Sequence, residues 1–288
     1  MKRKMKDLFS GMVRCIFTSS SRYAYNRRIG GLVSSLLPDS GGDVLDLGCG
    51  DGRYAGLFDG RNYTGLDIGD YDYSAIAAPN RTFKRASAES PPFDKGSFDL
   101  VFSSFMIEHV RDIQSSLDRF RTLIRPGGAI FVSTGTRCAA LTGEMHRIFW
   151  PGDGEDVGQA HHYFRPDELK KMFEGAGFTS ISIKRVGGPL ALLTEMIITF
   201  FRLLSMKLRG ERYGHSRESD EASKDRSRSR KRASLVWKLA VPPLFLMRII
   251  LHEVTYWLDL LLLPLRCAKF VVITSRVPNA SRAGNEED

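Results

Sequence analysis

The run Val44-Leu45-Asp46-Leu47-Gly48-Cys49-Gly50-Asp51-Gly52 holds the densest chemistry in the chain. Its apolar start reads as a strand, and glycines at alternate positions then form a turn that lets a ligand approach the backbone, because glycine has no Cβ and accepts positive φ. The G-x-G-x-G spacing differs from the G-x-G-x-x-G of dinucleotide sites, where a pyrophosphate rests on a helix N-terminus. Asp46, inside the motif, would repel a pyrophosphate and attract a cation, so the turn suits a ligand with a positive amino-acid moiety. Asp67, nineteen residues after Gly48, ends a second strand and is placed to accept hydrogen bonds from two ribose hydroxyls. Cys49 reads as a small turn residue rather than a nucleophile.

The elements that must hold these residues are legible around them. From Asp43 to Val132, short apolar runs alternate with turn signals and helical stretches, the order of a doubly wound parallel sheet with crossover helices. The strands expected are Asp43–Leu47, Tyr63–Asp67, Phe98–Phe102 and Ala129–Ser133, the last preceded by the turn Arg125-Pro126-Gly127-Gly128. Pro166–Ala176 is expected to be a helix with Asp167 and Glu168 in its first turn, and Phe178–Val186 and Lys269–Ser275 to be strands.

These residues resemble the class I S-adenosylmethionine-dependent methyltransferases, within them the type 11 group, over about Ser40–Val186 and more weakly at Lys269–Arg276. The resemblance extends past the glycine motif. Ala88-Glu89-Ser90-Pro91-Pro92-Phe93 with Gly96-Ser97-Phe98-Asp99-Leu100-Val101 is similar to the family's adenine-side loop and fourth strand, Ile107-Glu108-His109-Val110 to a helix opening, and Leu123–Gly128 to the turn before strand five. The resemblance implies a Rossmann-like α/β fold: a doubly wound seven-stranded sheet with an antiparallel last strand, and S-adenosylmethionine as cofactor. Asp46, Gly48, Cys49, Gly50 and Gly52 would surround its methionine part with Ser103 nearby, Asp67 would hold the ribose, and the adenine would lie between Ile68 and the Ser87-Ala88-Glu89 loop. Many relatives carry Asp where this chain has Ser87, which puts the adenine amino contact in question.

Ligands of such sheets bind outside the carboxyl ends of the strands, so the segments after strands four and five face the methyl acceptor. They contain Ser103, Ser104, Phe105, Met106, Glu108 and His109, then Thr134–Trp150 and the Gln159-Ala160-His161-His162-Tyr163-Phe164 run. A base for a hydroxyl acceptor would come from here: His109, which in this family often has a structural role instead, or His161 and His162, which form either a lid after Pro151-Gly152-Asp153-Gly154 or a packed helix entry. In the ubiquinone-biosynthesis O-methyltransferases a similar E-x-x-E-H carries a metal, whereas the first position here is Phe105, so no metal site is expected.

Composition bounds the remaining choices. The 288 residues are 42% hydrophobic and 26% charged, which excludes wholesale disorder, and the four cysteines Cys15, Cys49, Cys138 and Cys267 form no C-x-x-C pair, which favours a reducing, cytoplasmic compartment. Of the net charge of +9, residues 1–28 carry +7 and residues 206–233 carry +5, leaving −3 elsewhere, so no basic face continues the tails and nucleic acid is a disfavoured partner. The basic start is followed by an apolar run broken by Arg14 with no small-residue cleavage site, and no cleaved signal peptide is expected.

The chain divides into a basic amphipathic arm (1–39), a methyltransferase core (40–187), an apolar helical insertion (188–267) with a disordered basic loop at about 209–233, a last core strand (268–277) and a disordered tail (278–288). Leu190–Leu204 and Leu244–Leu263 are expected to be apolar helices, and the insertion's longest uncharged window, Leu239–Met247, falls well short of the roughly 18 residues a membrane span needs. Arg248, His252, Thr255 and Asp259 share one narrow stripe, as do Glu195, Thr199 and Arg202, and a helix lying in a membrane interface could turn such stripes to water. Alternatively the helices cap the core or form a dimer interface. Basic segments beside apolar helices favour an anionic membrane surface, at about 1 kcal/mol per Lys or Arg. Three functions follow: a methyltransferase at the inner membrane face acting on a lipid, quinone or lipid-linked glycan; a soluble methyltransferase for a small molecule or RNA; and a non-catalytic cofactor-binding scaffold. The oligomeric state and the acceptor are not encoded in any motif.

Overall fold

The computed structural model describes residues 29–38, 41–137, 162–208, 250, 254, 257–259 and 270–278. Seven strands among them form one sheet in the order β3-β2-β1-β4-β5-β7-β6. They are β1 (Asp43–Leu47), β2 (Asn62–Asp67), β3 (Arg81–Arg85), β4 (Phe98–Ser104), β5 (Ile124–Gly135), β6 (Thr179–Val186) and β7 (Phe270–Arg276). β1 to β5 pair in parallel, and β7 runs antiparallel between β5 and β6.

The central strands β1 and β4 are buried along almost their whole length, so both of their faces must be covered, and the register shows how. Val44, Leu100 and Ala129 stand side by side and pack with Phe58, Tyr63 and Phe131 on one face. The next row, Leu45, Val101 and Ile130, packs on the other with Leu117, Phe120, Leu169 and Phe173. Helix Ile113–Leu123 buries Ile113, Leu117, Phe120 and Leu123 at helical spacing and is capped by Asp112, which accepts from Ser115 N–H. Helix Pro166–Gly175 starts where a Pro and a Glu168 side chain bonded to Arg165 N–H favour it, and buries Leu169 and Phe173.

Three local expectations change. β3 carries the sequence Arg-Thr-Phe-Lys-Arg, a solvated edge strand whose charges hide it from any apolar pattern. Ile107–His109 is a single 3-10 turn, not the start of a helix, and the chain extends again at Val110 before Asp112 begins the helix proper. Arg125–Gly128 lies within β5 as a bulge, where pairing jumps from Phe98–Ile124 to Leu100–Ala129. A Cβ on Gly128 would stand 2.8 Å from the Asp99 carbonyl oxygen, which is why glycine closes that bulge.

The insertion begins after Val186 and ends before Phe270, and these two residues pair. Phe270 also pairs with Gly135 at the carboxyl end of β5, so the inserted chain leaves and rejoins the sheet at the edge where the glycine turn lies. Its first part is helix Pro189–Leu208, and residues 250, 254 and 257–259 of its second helical stretch are described. Of the two polar stripes, the members whose side chains are described face inward, not to water: Asp259 is 3% exposed and Thr199 is buried. The Asp259 carboxylate accepts from Gly188 N–H (2.8 Å), Leu190 N–H (2.8 Å) and Ala191 N–H (3.0 Å), donors that a helix start would otherwise leave unmatched. Apolar side chains are left outside: Leu193, Ile197 and Phe200 on one stretch, Ile250, Val254, Trp257 and Leu258 on the other, with Trp257 64% exposed. No helix among the described residues is long and apolar enough to cross a membrane. The basic arm at 1–28, the Arg209–Arg232 loop, Arg248, His252, Thr255 and the tail from 279 lie outside the described residues, as do the side chains of Glu195 and Arg202.

Candidate active site

The glycine turn joins β1 to the loop above the sheet. Gly48 N–H (2.8 Å) and Cys49 N–H (3.1 Å) both donate to the Leu66 carbonyl, which binds the turn to the neighbouring strand. Gly48 has φ 73°, and a Cβ there would lie 2.3 Å from Met106 Cγ, so position 48 is closed to any side chain by both conformation and space. At Gly52 (φ 71°) a Cβ would meet Ile76 Cδ1 at 2.2 Å. Tyr73, which sequence alone did not mark, donates to the Gly50 carbonyl (3.0 Å) while its ring stacks on Phe83 at 3.9 Å.

Asp67 ends β2 with both carboxylate oxygens engaged: Gly50 N–H donates to Oδ2 and Gly69 N–H to Oδ1, each at 2.8 Å. Two backbone bonds fix the carboxylate plane, and each oxygen keeps a further lone pair. Asp46 is fully buried, and Tyr63 donates its hydroxyl to Oδ2 at 2.6 Å. Burial pushes the Asp46 carboxyl up to about 7, with the Tyr63 hydrogen bond holding it down, Asp67 raising it and Arg53 lowering it. Its other oxygen, Oδ1, has no hydrogen-bond partner, and neither has the buried Ser103 hydroxyl on β4. Buried polar atoms are almost always paired, so an orphaned carboxylate oxygen at the carboxyl end of β1 fits a ligand that supplies donors, as an ammonium group does. Burial drives the Cys49 thiol up to about 12, which leaves it neutral and un-nucleophilic.

Beyond β2, Ile68 is 71% exposed, an apolar surface beside Asp67. Across from it the Ser87 hydroxyl accepts from Glu89 N–H (3.2 Å), closing its own loop, and Ala88 packs against the core. The Glu89 carboxylate accepts from Arg111 N–H, tying that loop to the segment after β4.

On the side of β4 and β5, Phe105 has φ 54°, an uncommon conformation for a bulky residue, held by its N–H donating to the Ser133 carbonyl (2.8 Å). Its ring stands edge-on to Phe270 at 5.4 Å. Glu108 is buried and accepts from the Thr134 hydroxyl (2.9 Å); burial raises its carboxyl above the usual range. His109 is exposed beside it, and His162 N–H donates to the Glu108 carbonyl (3.2 Å), so the fold gathers two of the three sequence-predicted histidines at one turn. His161 and the segment 138–160 lie outside the described residues.

A parallel sheet with a glycine turn after β1, an acid at the end of β2 and an antiparallel β7 between β5 and β6 defines the class I S-adenosylmethionine-dependent methyltransferases. Residues 21–183 match the family model described as "Methyltransferase domain", more than half of the chain, and the chain belongs to that family, which uses S-adenosylmethionine as methyl donor. Among curated relatives, a ubiquinone biosynthesis O-methyltransferase of Albidiferax ferrireducens is 36% identical over 115 residues, covering 36% of this chain and 46% of that protein. One of Rhizobium leguminosarum bv. trifolii is 30% identical over 156 residues, covering 50% and 61%. The chain thus spans about half the length of the curated relatives it matches. Among solved structures, a methyltransferase of Thermotoga maritima, described as a possible histamine N-methyltransferase, superposes with a TM-score of 0.52 at 16% identity, covering 96% of this chain and 99% of that one. Phosphoethanolamine N-methyltransferase 2 of Haemonchus contortus superposes with a TM-score of 0.51 at 15% identity, covering 90% and 57%. At these identities the structural likeness speaks for the fold alone.

Proposed function

We propose that the chain is a methyltransferase of the membrane surface that methylates a lipid, quinone or lipid-linked glycan from the cytoplasmic face. One observation carries this: the inserted chain springs from the carboxyl edge of the sheet and leaves seven large apolar side chains exposed there. Two helices that present Leu193, Ile197, Phe200, Ile250, Val254, Trp257 and Leu258 outward while clamping their only described acid inward suit a lipid interface. The basic stretch 206–233 lies in the same insertion, where anionic headgroups would meet it. The names of the matching relatives, ubiquinone biosynthesis O-methyltransferases, favour a quinone precursor within that class.

In this assignment Asp46, Gly48, Cys49, Gly50 and Gly52 surround the amino-acid end of the cofactor, with Ser103 beside it, and Asp67 holds the ribose. Ile68 and the Ser87–Glu89 loop flank the adenine. The sulfonium supplies an activated methyl, which leaves the protein to align the acceptor and to take a proton if that acceptor is a hydroxyl. His109 and His162, joined at one turn by the His162 backbone N–H donating to the Glu108 carbonyl, are the candidates to take it, with His161 adjoining in sequence. The Phe105 and Phe270 rings would form an apolar wall between that turn and the mouth of the insertion.

Calorimetric titration of S-adenosylmethionine into wild type and Asp67→Ala, combined with co-sedimentation on anionic vesicles, tests both halves. Binding that Asp67→Ala removes and pelleting that needs residues 189–266 are expected. Folded wild type that ignores the cofactor would leave a non-catalytic scaffold, and cofactor binding without pelleting would leave a soluble methyltransferase.

A further inference from the structure

The cofactor assignment leaves Tyr63 with no role, yet among the described residues its hydroxyl alone donates a hydrogen bond to the Asp46 side-chain carboxylate. We infer, on top of that assignment, that Tyr63 is a positioning residue: it holds Asp46 Oδ2 so that Oδ1 meets the cofactor's ammonium as a fixed, ionised acceptor, and binding expels a proton.

The geometry is built for this one contact. Tyr63 sits opposite Val44 in the β1–β2 register, and Gly65 sits opposite Asp46, all on one face of the sheet. A Cβ at Gly65 would lie 2.8 Å from Phe83 Cδ1 and 2.9 Å from Cys49 Sγ, so position 65 carries no side chain between the phenol and the carboxylate. The Tyr63 ring is buried, stacked against Phe58 at 5.7 Å and edge-on to Phe83 at 5.7 Å, which removes its freedom to swing away. Burial drives its hydroxyl far above the ordinary phenol range, so Tyr63 stays a donor at any physiological pH. With Oδ2 engaged, Oδ1 is the atom left without a partner in a fully buried group.

The charged and titratable neighbours set the proton balance. Tyr63 and Arg53 favour the carboxylate, Asp67 at the end of β2 disfavours it, and Cys49 in the turn stays a neutral thiol. Without ligand, burial outweighs the favourable partners and the carboxyl holds its proton into the neutral range. An ammonium at Oδ1 adds an opposite charge at contact distance, which shifts the equilibrium to the carboxylate and releases the proton to solvent. Losing the Tyr63 hydroxyl would raise the carboxyl further and let the group rotate, so more of the free protein would start in the form that cannot pair with a cation.

The test uses the full chain with two probes. S-adenosylhomocysteine carries the amino-acid end, whereas 5′-methylthioadenosine lacks it. Both are titrated calorimetrically into wild type, Tyr63→Phe and Asp46→Asn, at pH 6, 7 and 8.5, in buffers of different ionisation enthalpy. For wild type with S-adenosylhomocysteine, a buffer-dependent enthalpy near pH 7 that reports release of up to one proton is expected, absent in Asp46→Asn and absent with 5′-methylthioadenosine. Tyr63→Phe should bind S-adenosylhomocysteine about fivefold more weakly at pH 7, the effect there of one further pKa unit on a group that starts near 7, and recover towards wild type at pH 8.5. Its affinity for 5′-methylthioadenosine should stay within about twofold of wild type, which also shows that the variant folds. The inference is overturned if Tyr63→Phe follows wild type at every pH, if it weakens both probes alike, or if wild type releases no proton. Failure of the cofactor assignment looks different: wild type would then bind neither probe.

Discussion

The Asp259 carboxylate stands 2.8 Å from the amide of Gly188, joining the two ends of an inserted segment at the point where it leaves the sheet. Two further amides, Leu190 and Ala191, donate to the same group, so one acid satisfies three backbone donors at the start of helix Pro189–Leu208. Asp259→Ala strands those donors and should cost about 2 kcal/mol or more, with Asp259→Asn costing less because one amide oxygen still accepts. Thermal unfolding reads the loss, and an unchanged melting temperature for Asp259→Ala would remove the clamp.

Met106 and Gly48 make a second pair that can be separated by mutation. Gly48→Ala brings a Cβ to 2.3 Å from Met106 Cγ at a backbone angle of φ 73° that suits glycine. Destabilisation of about 2 kcal/mol or more is expected, together with weakened cofactor binding. Met106→Ala added to Gly48→Ala should restore part of it, since the clash goes and the dihedral cost stays. Chemical denaturation of the two single variants and the double variant forms the cycle that checks this.

Trp257 is the natural reporter of the apolar face. Anionic vesicles should shift the tryptophan emission to the blue, and Trp257→Phe should remove most of that shift. Leu193→Asp and Ile197→Asp, on exposed positions of the neighbouring helix, should lower vesicle affinity by about tenfold each without changing the melting temperature. Vesicle binding that survives both aspartates would move the contact elsewhere on the molecule.

Asp46 makes stability depend on pH in a definite direction. Its carboxyl is raised from an ordinary 3.8 to about 7 on folding, so the folded state favours the protonated form. The stability this confers is present at acid pH and is lost as pH rises through about 7. Asp46→Asn has no such group, so its melting temperature relative to wild type should climb between pH 5 and pH 8. A difference that stays flat or falls across that range would mean that the carboxyl is not held protonated.

How much of this could be read in advance follows from how local each cause is. The glycine turn, Asp46 and Asp67 were legible because spacing along the chain sets their chemistry, and the strands β1, β2, β4, β6 and β7 came within a few residues because apolar runs between turn signals announce them. β3 stayed hidden because an edge strand needs no apolar run. The 3-10 turn at Ile107–His109 reads in sequence as a helix opening because both share the same first residues, and only the extended backbone at Val110 separates them.

Helical periodicity determined that Asp259 shares a stripe with Arg248, His252 and Thr255, and Thr199 one with Glu195 and Arg202; it carried no information on which way a stripe faces. For Asp259 the tertiary structure decided that, because the unmatched amides at Gly188, Leu190 and Ala191 needed an acceptor and Asp259 supplied it by turning inward. Tyr63 and Asp46 likewise meet only through the register of β1 and β2, a pairing that residue types alone do not specify. The sequence by itself therefore determined the glycine turn, the acids beside it and the order of most elements, whose causes lie within a few residues of one another. Which polar groups satisfy one another, and which apolar faces are left to the outside, was decided only where distant segments came together and buried atoms required partners.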